Sequence, residues 1–186
     1  MSKKQIIIIG VKLCVICLFA AASLALVNNI TYPKIQESKR QAVLNALAVI
    51  NKAGTIGDQV AVNDGLVNYY HPVTDNGKVA NYILSLNGEG YAGNMIILAN
   101  FKTDGELIDA KLMDNTETPG LGKRAEEDWY MEKYKGFGAK SPIPTKKGML
   151  QQADADIIGG ATITFVGIGK ALENGSEYVK KLGGQK

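Results

Sequence analysis

Residues Ile6 to Val27 are almost wholly apolar, broken only by Lys12 and Ser23, and this run constrains the fold more than any other stretch. As a helix it spans roughly 33 Å at 1.5 Å per residue, enough to cross a hydrocarbon core. Lys12 would cost ~3 kcal/mol at a bilayer centre, but about two turns in its side chain can snorkel to the N-terminal interface. Lys3 and Lys4 precede the run, whereas Asn28, Asn29 and Thr31 come after it. That asymmetry predicts a cytoplasmic N-terminus and an extracytoplasmic remainder, with Lys34, Lys39 and Arg40 pulling the other way. A cleaved signal peptide is the competing reading, with Lys3-Lys4, Ile6–Phe19 and Ala20-Ala21-Ala22 as its three regions. The uncleaved anchor is favoured because apolar residues continue through Leu24, Leu26 and Val27. Both readings export the rest of the chain.

Several function classes are disfavoured by composition. The net charge of +3 is spread among interspersed acids, so no nucleic-acid stripe is present and none is expected as a partner. A single histidine, His71, and no acidic ladder argue against a metal site. Cys14 and Cys17 lie inside the apolar run without a second pair and read as small apolar residues of a lipid-facing helix.

Beyond the anchor, Lys34 to Ala53 has helix formers with Val43, Leu44, Leu47 and Ile50 on one face and Gly54 as a stop. The β pattern comes next. Val60–Val67 is a weak strand candidate and Asn68–Val73, with Pro72, reads as loop or edge. Val79–Leu86 is a strand, Asn87-Gly88-Glu89-Gly90 a turn, Met95–Phe101 a buried strand, Thr103-Asp104-Gly105 a hairpin signal, and Leu107–Met113 the returning strand. Lys123–Tyr134 reads as a short helix and Gly136–Gly148 as loop. The expected class is α+β: one transmembrane helix over 1–30, an amphipathic connecting helix over 31–54, and an antiparallel-sheet domain with flanking helices over 55–186.

Two glycine-containing motifs stand out in the domain. Asp156-Ile157-Ile158-Gly159-Gly160-Ala161-Thr162-Ile163-Thr164 opens a helix whose apolar residues recur at Phe165, Ile168, Leu172, Val179 and Leu182. Such a turn presents free N–H groups and the positive end of the helix dipole, an anion site, beside hydroxyls that can hold or be esterified by a phosphate. Glu117-Thr118-Pro119-Gly120-Leu121-Gly122 demands a tight turn before a helix and offers backbone donors and an apolar side chain to a flat ligand.

These motifs carry a resemblance. Asp-x-x-(Ser/Thr)-Gly-Ala-Thr is the signature at which a flavin transferase links FMN to the last threonine, here Thr162, and Gly159 stands where the pattern has a hydroxyl. With Gly90-Tyr91-Ala92-Gly93, the Glu117–Gly122 loop, Trp129 and Phe137 in order, and Asn29-Ile30-Thr31-Tyr32-Pro33 ending the anchor, the chain resembles the G subunits of the Rnf electron-transport complex. The C subunit of the sodium-pumping NADH:quinone reductase, which shares the FMN-binding domain, is the second resemblance. What this implies is a single-pass inner-membrane electron-relay subunit, matured by a flavin transferase. It would work with membrane and peripheral partner subunits that couple ferredoxin/NAD electron transfer to Na⁺ or H⁺ movement. FMN would be held as a phosphoester on Thr162. Gly159, Gly160 and Ala161 would give close backbone approach, and Thr164 would bond the phosphate or cap the helix. Glu117, Thr118, Leu121 and Gly122 would line the ring. Two other readings remain open: a membrane-anchored module holding a phosphate-bearing ligand reversibly, and an exported flavin reductase.

Overall fold

The computed structural model describes residues 3–62 and 64–184. The chain divides into two compact units, one up to Val43 and one from Leu44 onward.

In the first unit every described residue is helical. The helix α1 runs Lys3–Ile50, so the expected anchor and connecting helix are one element. Its most apolar stretch has a mean hydropathy of 2.6 and no buried residue, so its side chains find no protein partner there. Two hydroxyls of the helix are satisfied locally: Ser23 Oγ donates to the Phe19 carbonyl at 2.9 Å and Thr31 Oγ1 to that of Val27 at 2.6 Å. Those bonds remove the cost of bare hydroxyls in hydrocarbon. Pro33 lies inside the helix, where it forgoes one backbone hydrogen bond.

The second unit is built on an antiparallel sheet. Its strands are β1 (Thr55–Ile56), β2 (Val60–Ala61), β3 (Val67–Asp75), β4 (Lys78–Glu89), β5 (Asn94–Lys102) and β6 (Leu107–Asp114), in the order β1-β3-β4-β5-β6 with β2 also on β3. The class is α+β as expected. One face carries Leu84, Leu86, Met95, Ile97, Ala99 and Phe101, all fully buried under α4 (Thr162–Gly183) and the segments before it. The last turns of α1 bury Ala46, Leu47 and Ile50. There Asn100 Nδ2 donates to the Ile50 carbonyl at 2.9 Å and ties off one of the helix's C-terminal carbonyls. Leu44, expected on the same face, is instead exposed.

Local expectations needed correction at four places. Residues 68–73 are not loop but the middle of β3. Pro72 is tolerated because it falls between the short β1 and β2, where no N–H is asked of it; its carbonyl accepts from Gly57 N at 2.8 Å. Only Val60–Ala61 of the 60–67 candidate forms a separate strand. The expected turn at 87–90 is strand up to Glu89, and the reversal is made by Gly90–Gly93, closed by Gly90 N to the Gly93 carbonyl at 2.8 Å. At Gly88 a Cβ would crowd Ile97 at 3.2 Å and just touch Ala171. Residues 123–134 are not one helix but a 3₁₀ turn, Gly122–Glu126, followed by the short α2, Asp128–Met131.

Candidate functional site

The helix α4 begins at Thr162, the residue singled out from the sequence. Before it comes α3 (Gln152–Ile157), then a turn in which Gly159 N donates to the Asp156 carbonyl and Ala161 N to that of Ile158, both at 3.0 Å. Ile158 is buried and pins the turn to the core. Gly160 has φ of +87°, which only glycine adopts cheaply, and a Cβ there would stand 3.0 Å from Leu121 Cδ2. Gly159 is outside the left-handed region. No side chain caps α4, whose N-cap is Ala161. The amides of its first turn therefore lack intrahelical acceptors and face outward, as an anion would require.

The second wall is the 117–122 loop. Thr118 to Leu121 has the pattern of a type II turn: proline second, glycine third with φ of +77°, and Leu121 N donating to the Thr118 carbonyl at 3.2 Å. The chain then tightens directly into the 3₁₀ turn at Gly122.

Both walls meet around one pocket of about 450 Å³, within the usual range for small-ligand sites. Its lining includes Glu117, Thr118, Leu121, Gly122, Gly160, Ala161, Thr162 and Thr164, so eight residues selected from the sequence converge although the two motifs are far apart in the chain. Gly159 is not among them; it is exposed at the end of α3. Thr162 is exposed and lines the pocket. Thr164 is buried and does not cap the helix; its hydroxyl donates to Glu117 Oε2 at 2.6 Å. Asp156 is exposed and accepts from Gln152 Nε2 at 2.9 Å.

Two lining residues escaped the sequence reading. Tyr91, 72% exposed, projects from the Gly90–Gly93 turn, and Ile163, 55% exposed, sits between the two threonines. An aromatic residue held between glycines was the available signal for the first. For the second there was none, because helix periodicity does not say how a first turn is rotated.

Behind the pocket, Tyr130 is buried with its hydroxyl unpartnered. Burial pushes that phenol well above its ordinary value, and the charge of Glu117 adds to the effect while Arg124 opposes it. Tyr134 is also raised, by burial first, and its hydroxyl donates to the Phe165 carbonyl at 2.8 Å. Arg124 lies 5.1 Å above the Trp129 ring, and Lys133 pairs with Asp154, which ties α3 to the turn just after α2.

Residues 90–177, which contain every lining residue, match the FMN-binding domain family, and residues 1–50 match the RnfG N-terminal region. The chain belongs to the RnfG family. The G subunit of the proton-translocating ferredoxin:NAD(+) oxidoreductase complex of Clostridium ljungdahlii is 26% identical, covering 100% of this chain and 97% of that protein. The G subunit of the Na(+)-translocating ferredoxin:NAD(+) oxidoreductase complex of Acetobacterium woodii is 29% identical over 87% of this chain and 85% of its own. A crystal structure of the C subunit of the Na(+)-translocating NADH-quinone reductase from Parabacteroides distasonis aligns with 64% of this chain and 65% of that one, at 27% identity and a TM-score of 0.48.

The residues of this RnfG-family chain suit FMN. Gly160 and Gly122 line the pocket without side chains, and Tyr91, Leu121 and Ile163 offer apolar contact. The open first turn of α4 is fit for a phosphate.

Proposed function

We propose that this chain is the flavin-carrying electron-relay subunit of an Rnf-type complex that couples electron transfer between ferredoxin and NAD to movement of Na⁺ or H⁺. FMN, joined through its phosphate to Thr162, supplies one- and two-electron chemistry when bound. The phosphate lies at the α4 N-terminus, where the first-turn amides and the dipole favour its charge. Gly160 and Ala161 let the backbone approach, and Thr118, Leu121 and Gly122 form the opposite wall with Tyr91. A covalent tether keeps the cofactor on the extracytoplasmic side, and the positive flank of α1 supports that side for residues beyond Asn29. The partners are the membrane and peripheral subunits of the complex, with a flavin transferase for maturation. The chain holds no dinucleotide fingerprint, so donor and acceptor sites belong to those partners.

The observation that carries this reading is the meeting of an exposed Thr162, an uncapped helix N-terminus and the 118–122 turn in one pocket. Intact mass of the full chain purified from its own host is expected to exceed the polypeptide by one FMN less water. Thr162→Ala is expected to lose that addition entirely, whereas Thr164→Ala retains part of it. An adduct that persists in Thr162→Ala and maps to Thr164 overturns the assignment. Flavin that is bound but lost on denaturation favours a reversible phosphate-ligand module instead.

A further inference from the structure

The notable group in this pocket is a carboxylate that has no cation. Glu117 is only 3% exposed, and no ion pair reaches it among the described residues. Its partners are neutral: Ala92 N–H donates to Oε1 at 3.0 Å, and the Thr164 hydroxyl donates to Oε2 at 2.6 Å. A buried carboxylate satisfied only by neutral donors is costly, so a purely packing role is better served by an apolar residue. The backbone is also shaped around it. A Cβ on Gly90 would collide with Oε1, and a Cβ on Gly122 would collide with Oε2. At both glycines, which have ordinary backbone angles, the shortest approach of a Cβ is to this one side chain.

The segments that Glu117 joins are the three walls of the pocket. Ala92 belongs to the turn that carries Tyr91, and Thr164 lies in the first α4 turn two residues after Thr162. Glu117 itself begins the loop that carries Leu121. A second bond, Thr116 Oγ1 to the Ala92 carbonyl at 3.0 Å, holds the same turn from the neighbouring residue. Each oxygen already accepts one bond inside the protein, each from a different wall, so the carboxylate is placed to fix the walls to one another.

We infer that Glu117 is a positioning residue, a latch that acts through Thr164 and Ala92 to set the α4 N-terminus, and with it the Thr162 hydroxyl, against the Tyr91 and Leu121 walls. This deepens the reading of the pocket as an FMN site and rests on it for one of its two tests. The latch depends on geometry, so an amide of the same length can replace it: glutamine accepts from Ala92 N–H and donates to Thr164 Oγ1.

The test uses the full chain in detergent with a limiting amount of flavin transferase. Intact mass gives the initial rate of FMN attachment in Glu117→Ala, Glu117→Gln and Thr164→Val. Glu117→Ala is expected to slow attachment about tenfold, the loss of roughly one well-made buried bond. Glu117→Gln is expected to recover most of that loss, a rescue that loss of a merely charged group would not show. Thr164→Val, combined with Glu117→Ala, is expected to add nothing further, because both break the same link. The second test needs no flavin. In a Thr162→Ala background, amide exchange at Ala92 and in the first turn of α4 is expected to speed up in Glu117→Ala and stay slow in Glu117→Gln, with Leu98 in β5 protected in both. If Glu117→Ala fails to fold, Thr164→Val alone must show the faster exchange in that first turn. Glutamine no better than alanine, or alanine with unchanged exchange at Ala92, overturns the latch. If the unaltered chain takes up no FMN while the exchange pattern holds, the flavin reading fails and the latch stands.

Discussion

Two long helices bracket this chain, and they use the same residues for opposite ends. In α1, Leu18, Phe19 and Leu24 are each more than 70% exposed, and the apolar stretch buries nothing. In α4 the apolar residues Phe165, Ile168, Leu172 and Val179 are buried to the last few per cent against the sheet. Both helices contain glycine, and there the difference is sharpest. Around Gly10 of α1 nothing lies within 4 Å of a built Cβ, whereas at Gly167 of α4 such an atom would strike the Glu89 carbonyl and stand 2.9 Å from its carbon. Gly169 and Gly175 are similarly pressed, against Pro144 and against Leu86 and Phe101. An apolar helix with free surroundings is made for a solvent that is itself apolar; one with glycines on its inner face is made to lie close on a sheet.

The comparison is broken most severely at Gly167. Gly167→Ala forces α4 off β4 or displaces Glu89, and it is expected to cost about 3 kcal/mol, the upper part of the range for overpacking. Thermal unfolding of the full chain in detergent measures it. A melting temperature within a degree of the unaltered protein would show that α4 sits farther from the sheet than it does here.

Next in size is Leu18→Arg. In water a change at so exposed a residue is nearly free, but in a bilayer it costs roughly 3 kcal/mol of insertion. The variant is expected to leave the melting temperature of the second unit unchanged and to shift the chain from the membrane pellet toward the supernatant on alkaline extraction. Unaltered retention in the pellet would mean that this part of α1 does not face lipid. Gly167→Ala and Leu18→Arg should therefore split cleanly, one acting on stability and the other on insertion.

A smaller effect is expected at Gly159, where the flavin-attachment pattern has Ser or Thr. Its backbone is outside the left-handed region, but a Cβ would stand 2.9 Å from the Asp156 carbonyl oxygen, so the exposed turn has to shift to take a side chain. Gly159→Ser is expected to change stability by less than about 1 kcal/mol and to raise FMN attachment when transferase is limiting. A fall in both would place the structural requirement at Gly159 itself. Gly160, with φ of +87°, is the position where serine would be strained.

How much of the molecule is legible in its sequence depends on the range of each cause. The helix opened by the Gly159–Thr164 motif, the strands read at 95–101 and 107–113, which run one residue further at three of their four ends, and the turn at Pro119-Gly120 depend on neighbours within a few residues. Gly88 reads as a turn residue because glycine's local meaning is conformational, while here it lies inside a strand where a Cβ would crowd Ile97 of the next strand and touch α4. Pro72 marks its stretch as loop or edge in the sequence, because its acceptability within a strand depends on a gap between two other strands. The Thr164 hydroxyl is expected on a phosphate or a cap, and it is taken by Glu117, forty-seven residues away in sequence. Composition of the site is thus open to reading, and the division of labour within it is not.

The smallest expected effect is the most informative about α1. Gly10→Ala adds one methyl to an open surface, and alanine favours helix by up to about 1 kcal/mol over glycine. In a membrane span much of that preference is already met, because unpaired backbone is not tolerated in hydrocarbon. The expected result is no change in melting temperature, membrane retention or recovery of the chain with its partner subunits. A specific loss of that recovery, with retention intact, would give Gly10 a different meaning. Small residues let membrane helices approach closely, and Gly10 would then be to a partner helix what Gly167 is to β4. Gly10→Leu separates the cases further, since a lipid-facing position accepts leucine and a helix–helix contact does not. If both variants assemble normally, the face of α1 that carries Gly10 meets lipid, and the contrast between the two helices holds along that face.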